Sequence, residues 1–284
     1  MKRFSFHIFS TREAYFMVVS SMFLGLFVGL SLQNMISGME NTALLDRLIM
    51  FLGEVAILVP PLFILSQRKV ALLDVLPLQK VSPVTVGMSV LFISGVIGLV
   101  SVFEVLILPY FPIPDFLQQM DETLFDGGVL ANVILISAAV LVAPIVEEFL
   151  FRGLLQQSLF YHFGSVIPAM VIPTIIFALF HVGYLFYFPA MVELIALGLL
   201  LAWIMAKTGN ILIPVLTHAL FNFSAFSGLF LGLDEETASL ADLGWTWIIV
   251  SSILFIVGWI YFKSMKTVVC DEVYLIPLPH DVEQ

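Results

Sequence analysis

The sequence predicts an all-α protein, a polytopic membrane helix bundle of about eight transmembrane helices. Three observations carry this. The 284 residues are 61% hydrophobic and only 11% charged, with a mean hydropathy of +1.09, far above the apolar share of a soluble domain. Apolar runs of about 20 residues, the length that crosses a bilayer's hydrocarbon core, recur between short polar or proline-containing turns. The basic residues fall in alternating connections, as the orientation of membrane helices requires. The formal net charge is −10, and nothing is basic enough to suggest nucleic acid. A single cysteine, Cys270, excludes an intrachain disulfide.

An N-terminal arm, residues 1–14, carries Lys2, Arg3 and Arg12. It resembles the charged start of a signal peptide, but the apolar run after it is long and lacks a small-residue cleavage site, so a retained first span is expected over Tyr15–Leu32. The second span, Leu48–Leu65, holds Pro60-Pro61, which must kink it or end its hydrogen bonding. The third, Thr85–Leu108, stops at Pro109, Pro112 and Pro114. The piece Asp115–Phe125 is amphipathic and suits either an interfacial helix near the site or a plain loop helix. The fourth span starts at Val129 and continues to about Phe160. The fifth is expected over Val166–Tyr187 and the sixth over Ala190–Ala206. Lys207-Thr208-Gly209-Asn210 reads as a helix-ending turn, and the seventh span as Ile211–Leu231. An acidic loop with Asp234, Glu235, Glu236 and Asp242 precedes the eighth span, Trp245–Phe262, and the tail is 263–284. The membrane-embedded domain is thus 15–262, with no internal repeat. With this count Arg12, Arg68, Lys69, Lys80, Lys207, Lys263 and Lys266 share one side, and Arg47 is the exception. Both termini are therefore expected in the cytoplasm, in the cell membrane if the source is prokaryotic.

Glu147-Glu148-Phe149-Leu150-Phe151-Arg152 puts three charges inside the fourth span. Each costs about 2.5–3.5 kcal/mol at hydrocarbon depth on insertion scales. Glu148 and Arg152, four apart, share a helix face and form the natural pair. Glu147 points about 100° away and is the free carboxylate. Among the five histidines, His181 and His218 fall within the fifth and seventh spans, and intramembrane polar groups seek one another. His218 and Asn222 share a helix face, as do Phe177 and His181. Phe177 is expected to pack and shape the pocket wall. A carboxylate and an imidazole can hold a water and take its proton, while a histidine and an asparagine can receive the charge that develops on a carbonyl oxygen. The same residue types could instead bind zinc, with Glu147, His181 and His218 as the ligands.

In order, Glu147-Glu148-x-x-x-Arg152, Phe177-x-x-x-His181 and His218-x-x-x-Asn222 resemble the three motifs of the CAAX-protease and bacteriocin-processing (CPBP, or Abi) intramembrane proteases, over a core of 129–223. The resemblance implies an eight-helix endopeptidase that hydrolyses a peptide bond of a membrane-associated protein or peptide. It implies that Glu147 and His181 activate water, that His218 and Asn222 form the oxyanion hole, and that Glu148 and Arg152 support the site. The family is called both metallo- and glutamate protease, and no metal is favoured here, zinc being the alternative. Prenylated CAAX proteins or leader and signalling peptides are the substrates it implies. No His-Glu-x-x-His helix, no Gly-x-Ser-x-Gly elbow and no intramembrane aspartate pair competes. Within the family the alternative is a silent scaffold or bacteriocin-immunity protein, since fold does not guarantee activity. A proton-coupled transporter relaying through Glu54, Glu147 and Glu148 would show internal repeats. Glu54, Glu104 and Glu193 are the other membrane acids, and Glu54 is the most central.

Overall fold

A computed structural model of the protein describes residues 9–40, 42–124, 127–226 and 240–268. Lys2, Arg3, Phe125, Asp126, the acids Asp234–Glu236, Cys270 and most of the expected tail lie outside the described residues. Among the described residues the secondary structure is helical, apart from one isolated bridge between Leu78 and Asn210.

α1 (Thr11–Ile36) opens on a capping box, in which the Ser10 hydroxyl accepts from the Glu13 N–H and the Glu13 carboxylate accepts from the Ser10 N–H. The expected second span is broken where the prolines require it. α2 (Ala43–Ala56) ends, Ile57 and Leu58 turn, and α3 (Val59–Gln67) restarts with proline in its first turn, where a missing N–H costs nothing. A short α4 (Leu72–Val75) leads to α5 (Pro83–Ile107), and α6 (Asp115–Leu124) is the amphipathic piece.

The motif helix is a composite. α7 (Gly128–Ser137), a π-helical segment (Ala138–Val142), α8 (Ala143–Glu148), a second π-helical segment (Phe149–Leu155) and α9 (Gln156–Phe163) run on as a single 36-residue apolar span. α10 (Val166–Phe180), α11 (Phe188–Thr208), α12 (Leu212–Ala225) and α13 (Leu240–Ser264) complete the chain, with a non-helical Gly244 near the start of α13. Gly209 ends α11 in the left-handed conformation at φ 59°, as the turn residues required.

Among the described residues six helical stretches are long and apolar enough to cross a membrane, while α10 and α12 are shorter, with 15 and 14 residues. At 1.5 Å per residue these two span about 22 Å, less than the roughly 30 Å of hydrocarbon. α10 is where the expected boundary changes. It ends at Phe180 rather than near Tyr187, so His181 terminates a helix instead of lying inside one.

Two of the three apolar clusters among the described residues are the larger ones. One gathers Met17 of α1, Leu150, Phe151 and Leu155 of the second π segment, and Phe177 of α10. The other gathers Phe92 of α5, Ile204 of α11, Ile213 of α12 and Phe262 of α13. The close packing of α5 on α13 depends on Gly98, where a Cβ would overlap the Ser251 side chain.

Contacts at the helix ends collect the basic connections on one face. Arg68 pairs with Glu13, Thr11 donates to Ser158 O at 3.3 Å, Asn210 Nδ2 donates to Gln79 O at 2.6 Å, and Lys207 Nζ donates to Met265 O at 2.8 Å. At the opposite face Gln33 Nε2 donates to Asp46 Oδ1 at 2.9 Å, and the Tyr187 hydroxyl donates to Phe111 O at 3.2 Å.

Candidate active site

Pro144 begins the construction of the site. Proline has no N–H, and its ring crowds the carbonyl four residues back. The turn before it widens, so that the Ala143 N–H reaches Ala138 O, five residues back, instead of Ala139 O. In a π turn the next donor for Ala139 O would be residue 144, which has no hydrogen to give. Ala139 O is thereby released from the helix ladder, and Asn222 Nδ2 donates to it from α12 at 2.8 Å. This bond holds the amide in place and leaves the second Nδ2 hydrogen for another acceptor. Wide turns of this kind recur at functional sites.

The acidic motif follows directly. Glu148 and Arg152 are 0% and 1% exposed, and Arg152 Nη1 donates to Glu148 Oε1 at 2.8 Å. Its Nη2 donates to Gly198 O of α11 at 3.1 Å. Gly198 is required there, because a Cβ would come 2.8 Å from Thr174 Cγ2 and push α10 from α11. Gln156, four residues beyond Arg152, extends the polar stripe by donating to Ala202 O at 2.8 Å. Gln157 Nε2 donates to Arg152 O at 2.9 Å, on the widened second segment.

His218 meets this pair from α12. Its Nδ1 lies 2.9 Å from Glu148 Oε1, the oxygen that also accepts from Arg152. An oxygen paired with a guanidinium acts as acceptor, so Nδ1 carries the hydrogen, an assignment that follows from the network. The opposite ring nitrogen, Nε2, faces Glu147 Oε2 at 3.7 Å, too long for a hydrogen bond. His218 therefore spans the two glutamates, held by Glu148 and presenting Nε2 towards Glu147.

His181 is fixed by the end of its own helix. Its backbone leaves the helical conformation at φ −83°, ψ 61°, and its Nδ1 lies 2.9 Å from Phe177 O. A carbonyl only accepts, so Nδ1 donates, capping an orphan carbonyl of the last turn. In the neutral ring the lone pair then lies on Nε2, the form a base or a metal ligand needs.

Phe177 joins the two histidines. Its ring is buried, 4.5 Å from the His181 ring and 6.0 Å from the His218 ring between centroids, and the Arg152 guanidinium carbon stands 5.1 Å from its centroid. The structure thus links Glu147, Glu148, Arg152 and His218 directly, His181 to them through Phe177, and Asn222 to the π turn ahead of Glu147. Among the described residues His181 makes no ion-pair contact with either glutamate.

Among the described residues no group of three or more His, Cys, Asp or Glu side chains is arranged to hold a metal ion. Of the other membrane acids, Glu193 interacts with Glu104 and lines a cavity of about 130 Å³ with Leu197, Phe221 and Phe255.

Several contributors escape a reading of charged and histidine residues alone. The carbonyls of Ala139 and Gly198 act through backbone atoms that no side-chain pattern reveals. Gln156 had a visible signal, since Glu148, Arg152 and Gln156 recur every fourth residue in an apolar helix. Pro144, three residues before Glu147, was the other.

Residues 129–224 match the family model described as Type II CAAX prenyl endopeptidase Rce1-like. The match covers the same segment as the three motifs and bears out the family resemblance read from them. The core of the chain is similar to a family of protease-type enzymes, and the apolar helices of membrane-crossing length mark an integral membrane protein. Comparison with curated proteins found no match, and neither did comparison with solved structures.

Proposed function

We propose that this chain, whose core matches the Rce1-like CAAX endopeptidase family over residues 129–224, is an intramembrane endopeptidase that uses Glu147 and His181 to activate water. The observation that carries this reading is the Glu148 oxygen that takes both Arg152 and His218, immediately beside Glu147. A buried ion pair that also orients an imidazole towards a second carboxylate is more elaborate than helix packing requires.

In this scheme Glu147 and His181 Nε2 accept the two O–H groups of a water, which leaves an oxygen lone pair to attack the scissile carbonyl carbon. Glu147 takes the proton as the C–O bond forms. The tetrahedral oxyanion is met by the free Nδ2 hydrogen of Asn222 and by His218 through an Nε2–H carried in addition to the Nδ1–H that it gives to Glu148. Glu147 then returns its proton to the leaving nitrogen as the C–N bond breaks. Glu148 and Arg152 act through His218 and are positioning residues. The substrate is a membrane-associated protein or peptide, of the CAAX or the leader and signalling-peptide type. The basic face of the bundle is assigned to the cytoplasm by its Lys and Arg content, which puts both termini there, in the cell membrane of a prokaryotic source.

The deciding experiment compares new peptide termini in membranes carrying the wild type with those carrying Glu147→Ala. Termini that appear only with the wild type are expected. An identical set, with both proteins well expressed, would move the chain to a silent scaffold or immunity protein. Asn222→Ala should lower the cleavage rate by about 10²–10³-fold, as loss of an oxyanion donor does, with little change in KM; an unchanged rate removes Asn222 from the site. For a reaction that needs no metal, activity should survive exhaustive chelation, with bound zinc well below one per chain. Loss on chelation with recovery on adding zinc back would establish the metal-dependent alternative.

A further inference from the structure

Gln156 has no task in that scheme, yet it is fully buried and bonded across the bundle. Its Nε2 donates to Ala202 O of α11 at 2.8 Å. Arg152 Nη2 donates to Gly198 O of the same helix at 3.1 Å. The two donors are four residues apart on the motif helix. The two carbonyls are four apart on α11, about 6 Å at 1.5 Å per residue, so the bonds form two parallel rungs. Residues 198 and 202 are glycine and alanine, whose small side chains leave the helix backbone open to a neighbour.

The rungs lie just beyond the glutamates. α12, which carries His218, packs on α8 and on α11. The chain from Phe149 to Leu155 runs in wide turns, a geometry that helices adopt only in short stretches. Arg152 sits within it and holds Glu148 Oε1 at 2.8 Å with its other terminal nitrogen. With the Gly198 rung alone this stretch can pivot about Gly198 O, and Arg152 then carries the Glu148 carboxylate with it. A second rung one turn on, where the α-helix resumes, removes the pivot. The amide also has a cost, because Gln156 Oε1 is buried with no hydrogen-bond partner and so destabilises the fold. A methionine would fill the same space without that penalty. What it lacks is a directed donor.

We propose that Gln156 is a positioning residue of the active site, whose bond to Ala202 O fixes the register in which Glu148 meets His218. This rests on the endopeptidase reading and adds a residue to its machinery. Gln156 touches no reacting atom. It acts through Arg152 and Glu148 on the His218 ring, whose Nδ1 must stay 2.9 Å from Glu148 Oε1 for Nε2 to keep its direction.

The test measures kcat, KM and the thermal midpoint for the wild type, Gln156→Met and Gln156→Leu, on a peptide spanning a cut site found only in membranes carrying the wild type. Both variants remove the orphaned acceptor together with the rung. Ala202 lies inside α11, whose own ladder still serves its carbonyl, so the midpoint should hold or rise. kcat should fall about 10–10²-fold with KM nearly constant, the effect of a small misplacement that originates away from the reacting atoms. Unchanged kcat in either variant overturns the inference, as does a raised KM with kcat intact. A fall in kcat that comes with a matching fall in midpoint in both variants makes Gln156 a packing residue and overturns it too. Identical termini with wild type and Glu147→Ala overturn the endopeptidase reading itself, and this inference with it, whereas a wild type that cuts no faster than Gln156→Met removes Gln156 alone.

Discussion

Glu147→Gln should cut the rate of peptide-bond cleavage by at least about 10²–10⁴-fold, the range that a positioned general base supplies. The substitution keeps the volume of the side chain, and no hydrogen bond binds Glu147 to His218 across their 3.7 Å separation, so the fold should be undisturbed. kcat should fall with KM nearly constant, because the lost interaction belongs to the transition state. His181→Ala should have an effect of similar size, since it removes the Nε2 acceptor that the Nδ1–Phe177 O bond directs. The measurement is the turnover of a peptide spanning a cut site identified in wild-type membranes, with membrane yield and thermal midpoint as controls. Full turnover by Glu147→Gln would exclude Glu147 as the base and with it the mechanism.

Arg152→Ala should be the most damaging substitution to stability. Arg152 and Glu148 are 1% and 0% exposed, and removing one member of a buried pair leaves the other uncompensated, at a cost of about 3–5 kcal/mol. The loss also cuts the link to Gly198 O that ties the motif helix to α11. The thermal midpoint of the purified protein in detergent should drop sharply. The double variant Glu148→Met, Arg152→Met removes both charges at similar volume and should recover much of the midpoint, because apolar replacement of a whole buried pair is often neutral. Its activity should stay low, since His218 Nδ1 then has no acceptor. Recovery of stability without activity separates the two roles of Glu148. Recovery of both would reduce the pair to packing.

Much of the site was legible from spacing. Glu148 and Arg152 at i and i+4 in an apolar helix are the pair the structure shows, and Pro60-Pro61 breaks the second span between α2 and α3. The turn at Gly209 was readable because few residues accept the left-handed conformation. The role of His218 was only half visible. Its spacing to Asn222 puts them on one helix face, but nothing in that spacing says that His218 gives its Nδ1 hydrogen to Glu148, 70 residues away. The end of α10 was missed for a related reason. The apolar run resumes after His181 and reaches Tyr187, while the helix stops where the His181 side chain caps the Phe177 carbonyl.

The sequence by itself determined the class of the protein, the approximate number and order of its spans, and the small set of polar residues buried among them. These follow from local quantities: the cost of charge in hydrocarbon, the length of a helix that crosses it, and the period of 3.6 residues. Tertiary structure alone decided which atoms of those residues meet. Neighbouring helices select the ring nitrogen His218 presents, supply Gly198 O to Arg152, and direct Asn222 to the Ala139 carbonyl that Pro144 releases. Such choices depend on contacts between residues far apart in the chain, and a hydrogen bond requires a placement within a few tenths of an ångström, which no periodicity encodes.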